Sequence, residues 1–146
     1  ISGTTARKLV MEGGAMGGLR GAKLRGRDAD MRELVQNGMA WAFNGVAGIT
    51  EEPFANLKLG ETAVFDFINK TAWPHAMHLH GHHMLPMMID DKPVTTMDWR
   101  DTAVMAANST MRVAFVADNP GKWMLHCHML EHQAAGMMTL VNVEID

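Results

Sequence analysis

The sequence predicts an all-β fold, a Greek-key β-sandwich with one short helix after its single cysteine. Short segments rich in β-branched and aromatic residues recur along the chain, such as ETAVFDFIN at Glu61–Asn69 and TMRVAFVA at Thr110–Ala117. Turn-forming residues separate these segments at intervals of about 8–12 residues, a spacing typical of sandwiches. No internal repeat interrupts this pattern.

Residues 1–38 are expected to form an N-terminal extension or connecting segment. The glycines of 12–18 (EGGAMGG) predict a loop, and Arg7–Met11 is a candidate short strand. A short helix is expected from Asp28, as its N-cap, to Gln36, because Asn37-Gly38 is a stop signal.

Residues 39–146 are predicted to form the sandwich domain. The expected strands are 39–43, 61–69, 84–90, 110–117, 122–128 and 137–145. Pro86 indicates an edge position or a bulge, because proline cannot donate a backbone hydrogen bond to a neighbouring strand. The sequence Asp118-Asn119-Pro120-Gly121 predicts a turn.

The composition excludes few functions, but it does not favour binding to nucleic acid or to an anionic membrane. The net charge is −3, and no block of like charges suggests nucleic acid or an anionic membrane surface as a partner. No apolar run approaches the roughly 20 residues of a transmembrane helix. The chain has no initiator Met and no signal-peptide pattern, which is typical of a processed product or a fragment.

Histidine is confined to two short segments. All eight histidines lie in 75–83 and 126–132, and the lone cysteine, Cys127, lies in the second segment. Scattered core or surface histidines would not cluster in this way. Successive side chains of a strand point to opposite faces, so His126 and His128 should share one face and Cys127 the other.

The same alternation applies to the first histidine segment. His78 and His80 have one parity and His75 has the other. Thiolate, two imidazoles and a weak thioether are the ligand types of a blue-copper centre. A loop or short helix after the cysteine can return the residues five and ten positions on toward the sulfur. The predicted ligands of this first site are His75, Cys127, His132 and Met137.

HAMHLHGHH at 75–83 and WMLHCHMLEHQAAGMM at 123–138 resemble the two C-terminal copper motifs of multicopper oxidases, the family of laccases, cuprous oxidases and ferroxidases. One departure is Ala76, where many members have proline. The resemblance implies a C-terminal cupredoxin domain. It assigns His75, Cys127, His132 and Met137 to type 1 copper, His78 to type 2 copper, and His80, His126 and His128 to type 3 copper.

The resemblance also implies a reaction. Type 1 copper would take single electrons from a reductant, either cuprous ion or a phenol, and pass them through Cys127 to His126 and His128. A trinuclear cluster would use four such electrons to reduce O2 to water. Only half of that cluster's histidines come from this domain, so an N-terminal cupredoxin domain is an expected partner, in the same chain, a cleaved partner or another subunit. A periplasmic or secreted location follows from the resemblance alone.

Four other hypotheses about the metal ligands compete with this interpretation. A structural zinc site needs about four tetrahedral ligands and leaves the remaining ligands without a role. A simple blue-copper electron carrier has no use for the type 2 and type 3 histidines. A copper nitrite reductase places a histidine on only one side of the cysteine, whereas this chain has both His126 and His128. A domain that only sequesters copper would have the ligands but no oxidase activity.

Several further side chains have open roles. His82 and His83 are expected to be exposed or to lie behind the ligands. The chain has 15 methionines, which either fill the core or form a thioether surface for Cu(I). The methionines in question are Met84, Met87, Met88, Met97 and Met105, with Met11 and Met16 in the glycine-rich stretch. Candidate partners that orient the imidazoles are Asp66, Asp98 and Glu131. Trp73 and Trp123 are expected to pack around the sites.

Overall fold

The computed structural model describes residues 4–14 and 18–145. Within them, two helices accompany a set of short strands. The helices are α1 (Met31–Gln36) and α2 (Leu130–Ala134). The strands are β1 (Arg7–Gly13), β2 (Gly21–Leu24), β3 (Arg27–Asp30), β4 (Trp41–Phe43), β5 (Val46–Ala47), β6 (Ala55–Lys58), β7 (Thr62–Asn69), β8 (His75–Leu79), β9 (Leu85–Ile89), β10 (Lys92–Pro93), β11 (Thr102–Met105), β12 (Thr110–Val116), β13 (Gly121–Cys127) and β14 (Met138–Glu144).

The strands form two sheets, which confirms the predicted all-β sandwich. The first sheet has nine strands in the order β10-β9-β12-β7-β1-β4-β5-β2-β3. The second has five strands in the order β11-β8-β13-β14-β6. The short helix α2 follows Cys127, as the sequence predicted.

The core lies between the inner faces of the two sheets. Phe65, Phe67 and Phe115 come from the first sheet, and Leu79 and Leu125 from the second; all five are buried. Phe65 contacts both other phenylalanines edge to face. Alternation along each strand supplies these inward side chains, so the core follows from the period-two pattern of the sequence.

The N-terminal part of the chain takes part in the first sheet. Strand β1 pairs in parallel with β7 and antiparallel with β4, and its Leu9 and Met11 are buried in the main core. Residues beyond β1 build a smaller cluster around Leu34 of α1. The division at residue 38 stays a prediction about domain organisation, but residues 7–13 are a structural part of the sandwich.

The predicted start of the first helix was wrong by two residues. The N-cap is Asp30, whose Oδ1 accepts a hydrogen bond of 2.9 Å from the backbone N–H of Glu33. Asp28 lies instead in β3, where it pairs with Lys23 of β2. Either aspartate could cap a helix. The pairing of β3 with β2 keeps Asp28 in a strand, so the helix begins after Asp30. The helix ends at Gln36, with Asn37 as its C-cap, as predicted.

Most of the predicted strands are present with bounds shifted by one or two residues. Pro86 lies beside an irregularity in the pairing of β9 with β12, between Arg112 and Val113, which agrees with the predicted bulge. The strands β2, β3, β5, β6, β10 and β11 were not predicted, because each has only two to four residues, too few for a clear pattern. No helix in the described ranges is long and apolar enough to cross a membrane.

Candidate metal centre

Two neighbouring strands of the second sheet hold half of the predicted ligands, and His80 and His128 directly follow these strands. Strands β8 and β13 are antiparallel, with His126 opposite His78 and Cys127 opposite Met77. Directly opposed residues of a sheet share a face, so the two histidines lie on one face and the cysteine on the other. Cys127 faces the core and is fully buried.

The first cluster, His75, Cys127 and His132, lies on the core side of these strands and is called the inner cluster. The Nδ1 atoms of His75 and His132 are 3.1 Å apart, and each lies 3.7 Å from the Sγ atom of Cys127. The three ligand atoms all lie within 4.8 Å of one another, which is close enough to share one metal ion. Strand β8 supplies His75, the end of β13 supplies Cys127, and α2 supplies His132.

Backbone hydrogen bonds bring Met137 beside this cluster. Its carbonyl accepts from the N–H of Cys127 at 3.1 Å, and its own N–H donates to the carbonyl of His132 at 3.1 Å. The Met137 side chain is fully buried. The chain can turn back here because residue 136 is a glycine with a φ of +117°. A Cβ at this position would lie only 2.3 Å from the carbonyl oxygen of Trp41.

A buried polar network orients His75. The Nε2 atom of His75 lies 2.8 Å from the Oγ1 atom of Thr71. That hydroxyl in turn lies 2.7 Å from Oδ1 of Asn69, which can only accept, so the hydroxyl donates to Asn69 and accepts from Nε2–H of His75. The lone pair of His75 is therefore left on Nδ1, the nitrogen that faces Cys127.

Burial favours the neutral form of both imidazoles of this cluster. It lowers the pKa of His75 to about 4, with the nearby His132 as the second cause. Burial also lowers the pKa of His132, against the opposing influence of Glu131. A metal binds neutral imidazole, so the lowered pKa values of the two histidines favour metal binding.

The second cluster, called the outer cluster, lies on the outer face of the same strands. His78, His80, His126 and His128 meet there. The Nε2 atoms of His80 and His126 are 2.9 Å apart. The ring centre of His78 lies 4.8 Å from that of His80 and 5.4 Å from that of His128. His128 is exposed, and the other three are at least partly covered.

Backbone carbonyls fix the tautomers of two of these rings. Nδ1 of His78 donates to the carbonyl of Asp101 at 2.9 Å, and the Thr102 hydroxyl lies 3.1 Å from the same nitrogen. Nδ1 of His126 donates to the carbonyl of Cys127 at 2.8 Å. A carbonyl cannot donate, so Nδ1 carries the proton in both rings and Nε2 is free for a metal. Burial is also the main cause of the lowered pKa of His126 and of His80.

The carboxylates proposed as orienting partners do not fill that role. Asp66 forms a two-point ion pair with Arg112, at 2.8 and 3.0 Å. Asp98 binds Arg100. Glu131 acts on His132 only through its charge. The prediction was wrong for Asp66 and Asp98, because each lies beside an arginine that competes successfully for the carboxylate.

His82 and His83 differ in their surroundings. His82 is 4% exposed, and its Nδ1 donates to the carbonyl of His80 at 3.1 Å. Its ring packs against Phe115 and Trp123. His82 thus supports the backbone of a predicted ligand, as expected of a residue behind the ligands, while His83 is exposed. Trp123 also packs over Gly81, which agrees with its predicted packing role.

The candidate methionines that the structure describes differ in their surroundings. Met84, Met105 and Met11 are buried in the main core. Met97 is 78% exposed, and Met87 and Met88 are partly buried on β9. The idea of a thioether surface is therefore wrong for the three buried residues, which fill the core. Met16 lies outside the described residues.

Sequence reasoning missed three residues that contact the first cluster. Asn69 and Thr71 form the polar network at His75, and Trp41 packs against both of its imidazoles. A short polar pair just before a metal motif could have indicated the first two. No signal in the sequence points to Trp41, which lies on the other sheet.

A β-sandwich with a Cys/His cluster inside and four imidazoles outside the same strand pair has the architecture of a copper-binding cupredoxin domain. Comparison with known proteins gives the family. A sequence model described as multicopper oxidase matches residues 26–146, so this chain belongs to the multicopper oxidase family. Copper is the metal that membership implies.

Individual relatives agree with this membership. The chain is 38% identical over 99 residues to a multicopper oxidase of Mycobacterium tuberculosis, covering 68% of this chain and 19% of that protein. It is 33% identical over 105 residues to copper resistance protein A of Escherichia coli, covering 72% of this chain and 17% of the relative. The chain thus spans about a fifth of the length of these curated relatives.

Solved structures show the same fold. A multicopper oxidase from Pseudomonas thermotolerans superposes with a TM-score of 0.74 at 26% identity, covering 98% of this chain and 30% of that one. The likeness extends to the strands before residue 26, because nearly the whole chain is superposed.

Proposed function

We propose that this chain is the C-terminal copper-carrying domain of an oxidase that couples one-electron oxidation of a reductant to four-electron reduction of O2 to water. One observation carries the proposal. Cys127 belongs to the inner cluster, while its neighbours in the chain, His126 and His128, belong to the outer cluster. Two metal sites are thereby joined by consecutive residues.

The inner cluster fits a type 1 copper. One thiolate and two imidazoles converge in a buried, apolar site, with Met137 tied beside them. Trigonal His2Cys ligation with a weak axial thioether is the ligand set of blue-copper centres. We assign His75, Cys127, His132 and Met137 to this copper.

The outer cluster fits one part of a trinuclear copper site. The Nε2 atoms of His80 and His126 lie 2.9 Å apart, and the tautomers of His78 and His126 leave Nε2 available to a metal. We assign His78 to type 2 copper, and His80, His126 and His128 to type 3 copper. Copper in these sites would supply single-electron oxidation of the reductant and four-electron reduction of O2.

The chain's own residues provide the connection between the sites. Cys127 is bonded through the backbone to both flanking histidines, and its carbonyl also accepts the Nδ1–H of His126. The route from the sulfur to the outer imidazoles therefore stays within three consecutive residues. The thiolate side of this route is buried, which excludes water from it.

Another cupredoxin domain is the proposed partner at the outer face. This chain contributes four imidazoles there and has no further histidine outside the two segments. Apolar side chains surround them: Val104 is exposed on β11, and Leu140 and Met138 are partly buried on β14. The partner would come from the same longer chain, a cleaved product or another subunit, in a periplasmic or secreted protein.

The proposed reductant is cuprous ion or a phenol. The apolar side chains of Met129 and Leu130 are exposed between His128 and His132, so a reductant can approach near the inner cluster there. Copper resistance protein A among the relatives favours cuprous ion. Comparing oxygen consumption with Cu(I) and with a phenol, at the same copper loading, separates the two.

Cys127→Ser tests the assignment of the inner cluster. Hydroxyl oxygen is a poor substitute for thiolate, so the intense visible absorption and turnover with every reductant should be lost. Met124→Leu, on the same strand but outside both clusters, should keep the blue band. A blue band that survives in Cys127→Ser would refute the assignment. A copper carrier or a sequestering domain would show the band but no oxygen consumption in the complete protein.

A further inference from the structure

An indole from the first sheet packs against both imidazoles of the inner cluster. Trp41, on β4, packs its ring centre 4.8 Å from that of His75 at an angle of 85°, and 4.6 Å from that of His132 at 49°. The two imidazoles are themselves 4.9 Å apart. The three rings thus form a closed triangle in which Trp41 contacts both histidines. Its side chain is buried, with a residue exposure of 6%.

The backbone holds this indole in place from two directions. The N–H of Trp41 donates to the carbonyl of Ala135 at 3.0 Å, which ties β4 to the segment between His132 and Met137. Gly14 leaves room for the ring, because a Cβ there would lie 2.4 Å from the indole carbon Cη2. The absence of a side chain at Gly14 is therefore a requirement of the indole's position.

We propose that Trp41 is a positioning residue for the type 1 copper, setting the ring planes of His75 and His132 and excluding water from their side of the site. This inference depends on the type 1 assignment proposed above. The Thr71 hydroxyl holds one edge of His75, but a hydrogen bond along the ring plane leaves rotation about that bond open. The indole contact restrains that rotation, and it restrains His132 as well.

The consequence of removing the indole has a definite sign. Space left by the indole admits water or lets the imidazoles turn away from the copper. Water favours Cu(II), the more highly charged form, so the reduction potential should fall. Weaker alignment of the ligands should also speed the loss of copper to a chelator, by roughly ten-fold or more.

The test compares Trp41→Ala and Trp41→Phe with Phe43→Ala in the copper-loaded protein that contains this chain. Phe43 lies two residues on in the same strand, is 3% exposed and belongs to the same core cluster, so its truncation matches the loss of packing. The readouts are the type 1 reduction potential, the electron paramagnetic resonance spectrum and the rate of copper loss to a chelator. All are taken well below each variant's unfolding midpoint.

Trp41→Ala is expected to lower the potential, change the copper hyperfine splitting and release copper faster, with a smaller effect in Trp41→Phe. Phe43→Ala should lose stability with an unchanged spectrum. A wild-type potential and spectrum in Trp41→Ala, or an equal shift in Phe43→Ala, would overturn the inference while leaving the type 1 site intact. Wild-type protein without any type 1 signal would overturn the assignment itself, and the inference with it.

A glycine pair covers the case in which Trp41→Ala does not fold. Gly14→Ala adds a methyl group against the indole, whereas Gly26→Ala adds one at a similar φ, +82° against +74°, with nothing within 4 Å. The backbone strain is therefore matched, and the contact with the indole is not. We expect the type 1 spectrum to change in Gly14→Ala alone. Identical spectra in both variants would contradict the positioning role.

Discussion

At the scale of single residues, the candidate site depends on hydrogen bonds that select one nitrogen of each imidazole. Thr71 selects the tautomer of His75, and backbone carbonyls select those of His78 and His126. Neutral acceptors, and no carboxylate, make these bonds. The Asp101 carboxylate lies nearby, with Oδ1 3.9 Å from Nδ1 of His78, but the closer contact to that nitrogen is the backbone carbonyl.

Thr71→Val is expected to weaken the inner site. The variant keeps the shape of the side chain but leaves the buried Nε2–H of His75 without its partner, at a cost of about 1–3 kcal/mol in the free energy of unfolding. Oδ1 of Asn69 loses the hydroxyl but keeps its hydrogen bond of 3.0 Å from the backbone N–H of residue 71. Copper affinity at the type 1 site should fall by roughly 10–100-fold. Denaturant unfolding of the apoprotein and competition with a chelator measure the two effects.

Thr71→Ser is the matched control, since it restores the hydroxyl. It should recover most of the copper affinity. If Thr71→Val binds copper as tightly as Thr71→Ser, the hydroxyl does not orient His75.

The sequence predicted the grouping of the ligands but not what surrounds them. The parity of His126, Cys127 and His128 along a strand was sufficient to separate two clusters, because alternation is a local property of the backbone. Trp41 lies 34 positions before His75 in the chain and on the opposite sheet, so its contact depends on how the sheets pack. Local pattern carries no information about that packing.

At the scale of elements, the second sheet separates two chemical environments. Its inner face buries Cys127 and Met77 in the core, and its outer face presents histidines among apolar side chains. Strand β11 forms the edge nearest His78 and supplies the carbonyl and hydroxyl that hold that ring. The sequence did not predict β11, because TAVM is too short to show a pattern. The strand is nevertheless important for the site, since it lies beside β8.

Val104→Asp tests the outer face as a docking surface. Val104 is 64% exposed on β11 and faces the same side as His78, since it lies opposite Ala76 in the sheet. An unpaired charge in an interface costs several kcal/mol, so oxygen reduction should fall by roughly ten-fold or more while the type 1 band persists.

Val116→Asp provides the comparison. Val116 is also an exposed valine, on β12 of the first sheet and not on the sheet that carries the outer cluster. It lines a pocket with His82 and His83, which are not predicted ligands. Its substitution should leave oxygen reduction unchanged. Equal losses in the two variants, measured as oxygen consumption per type 1 copper, would argue against a partner at the outer face.

At the scale of the whole molecule, the inner cluster has its full proposed ligand set and the outer cluster has only part of one. The sandwich encloses the inner site with its own sheets, helix and loops. The outer histidines lie on a surface, and His128 is exposed. The two sites should therefore respond differently when this chain is taken from its surroundings.

The 146-residue chain alone is expected to hold roughly one tight copper, the type 1 ion, and to reduce no oxygen. Four imidazoles, without the ligands of a partner domain, offset little of the cost of dehydrating three further metal ions. Copper counting together with electron paramagnetic resonance measures this, first on the chain alone and then on the complete protein. A full set of coppers and oxygen reduction in a monomer of the chain alone would refute the shared cluster.

The consecutive placement of His126, Cys127 and His128 also limits how this domain can change over time. Because side chains alternate along β13, one residue inserted between Cys127 and His128 would turn that histidine toward the core and shift every ligand after it. A change that moves the ligands of one site along the chain therefore also moves those of the other. Insertions in this lineage should therefore accumulate in loops away from β13, and the two metal sites are inherited as a single unit.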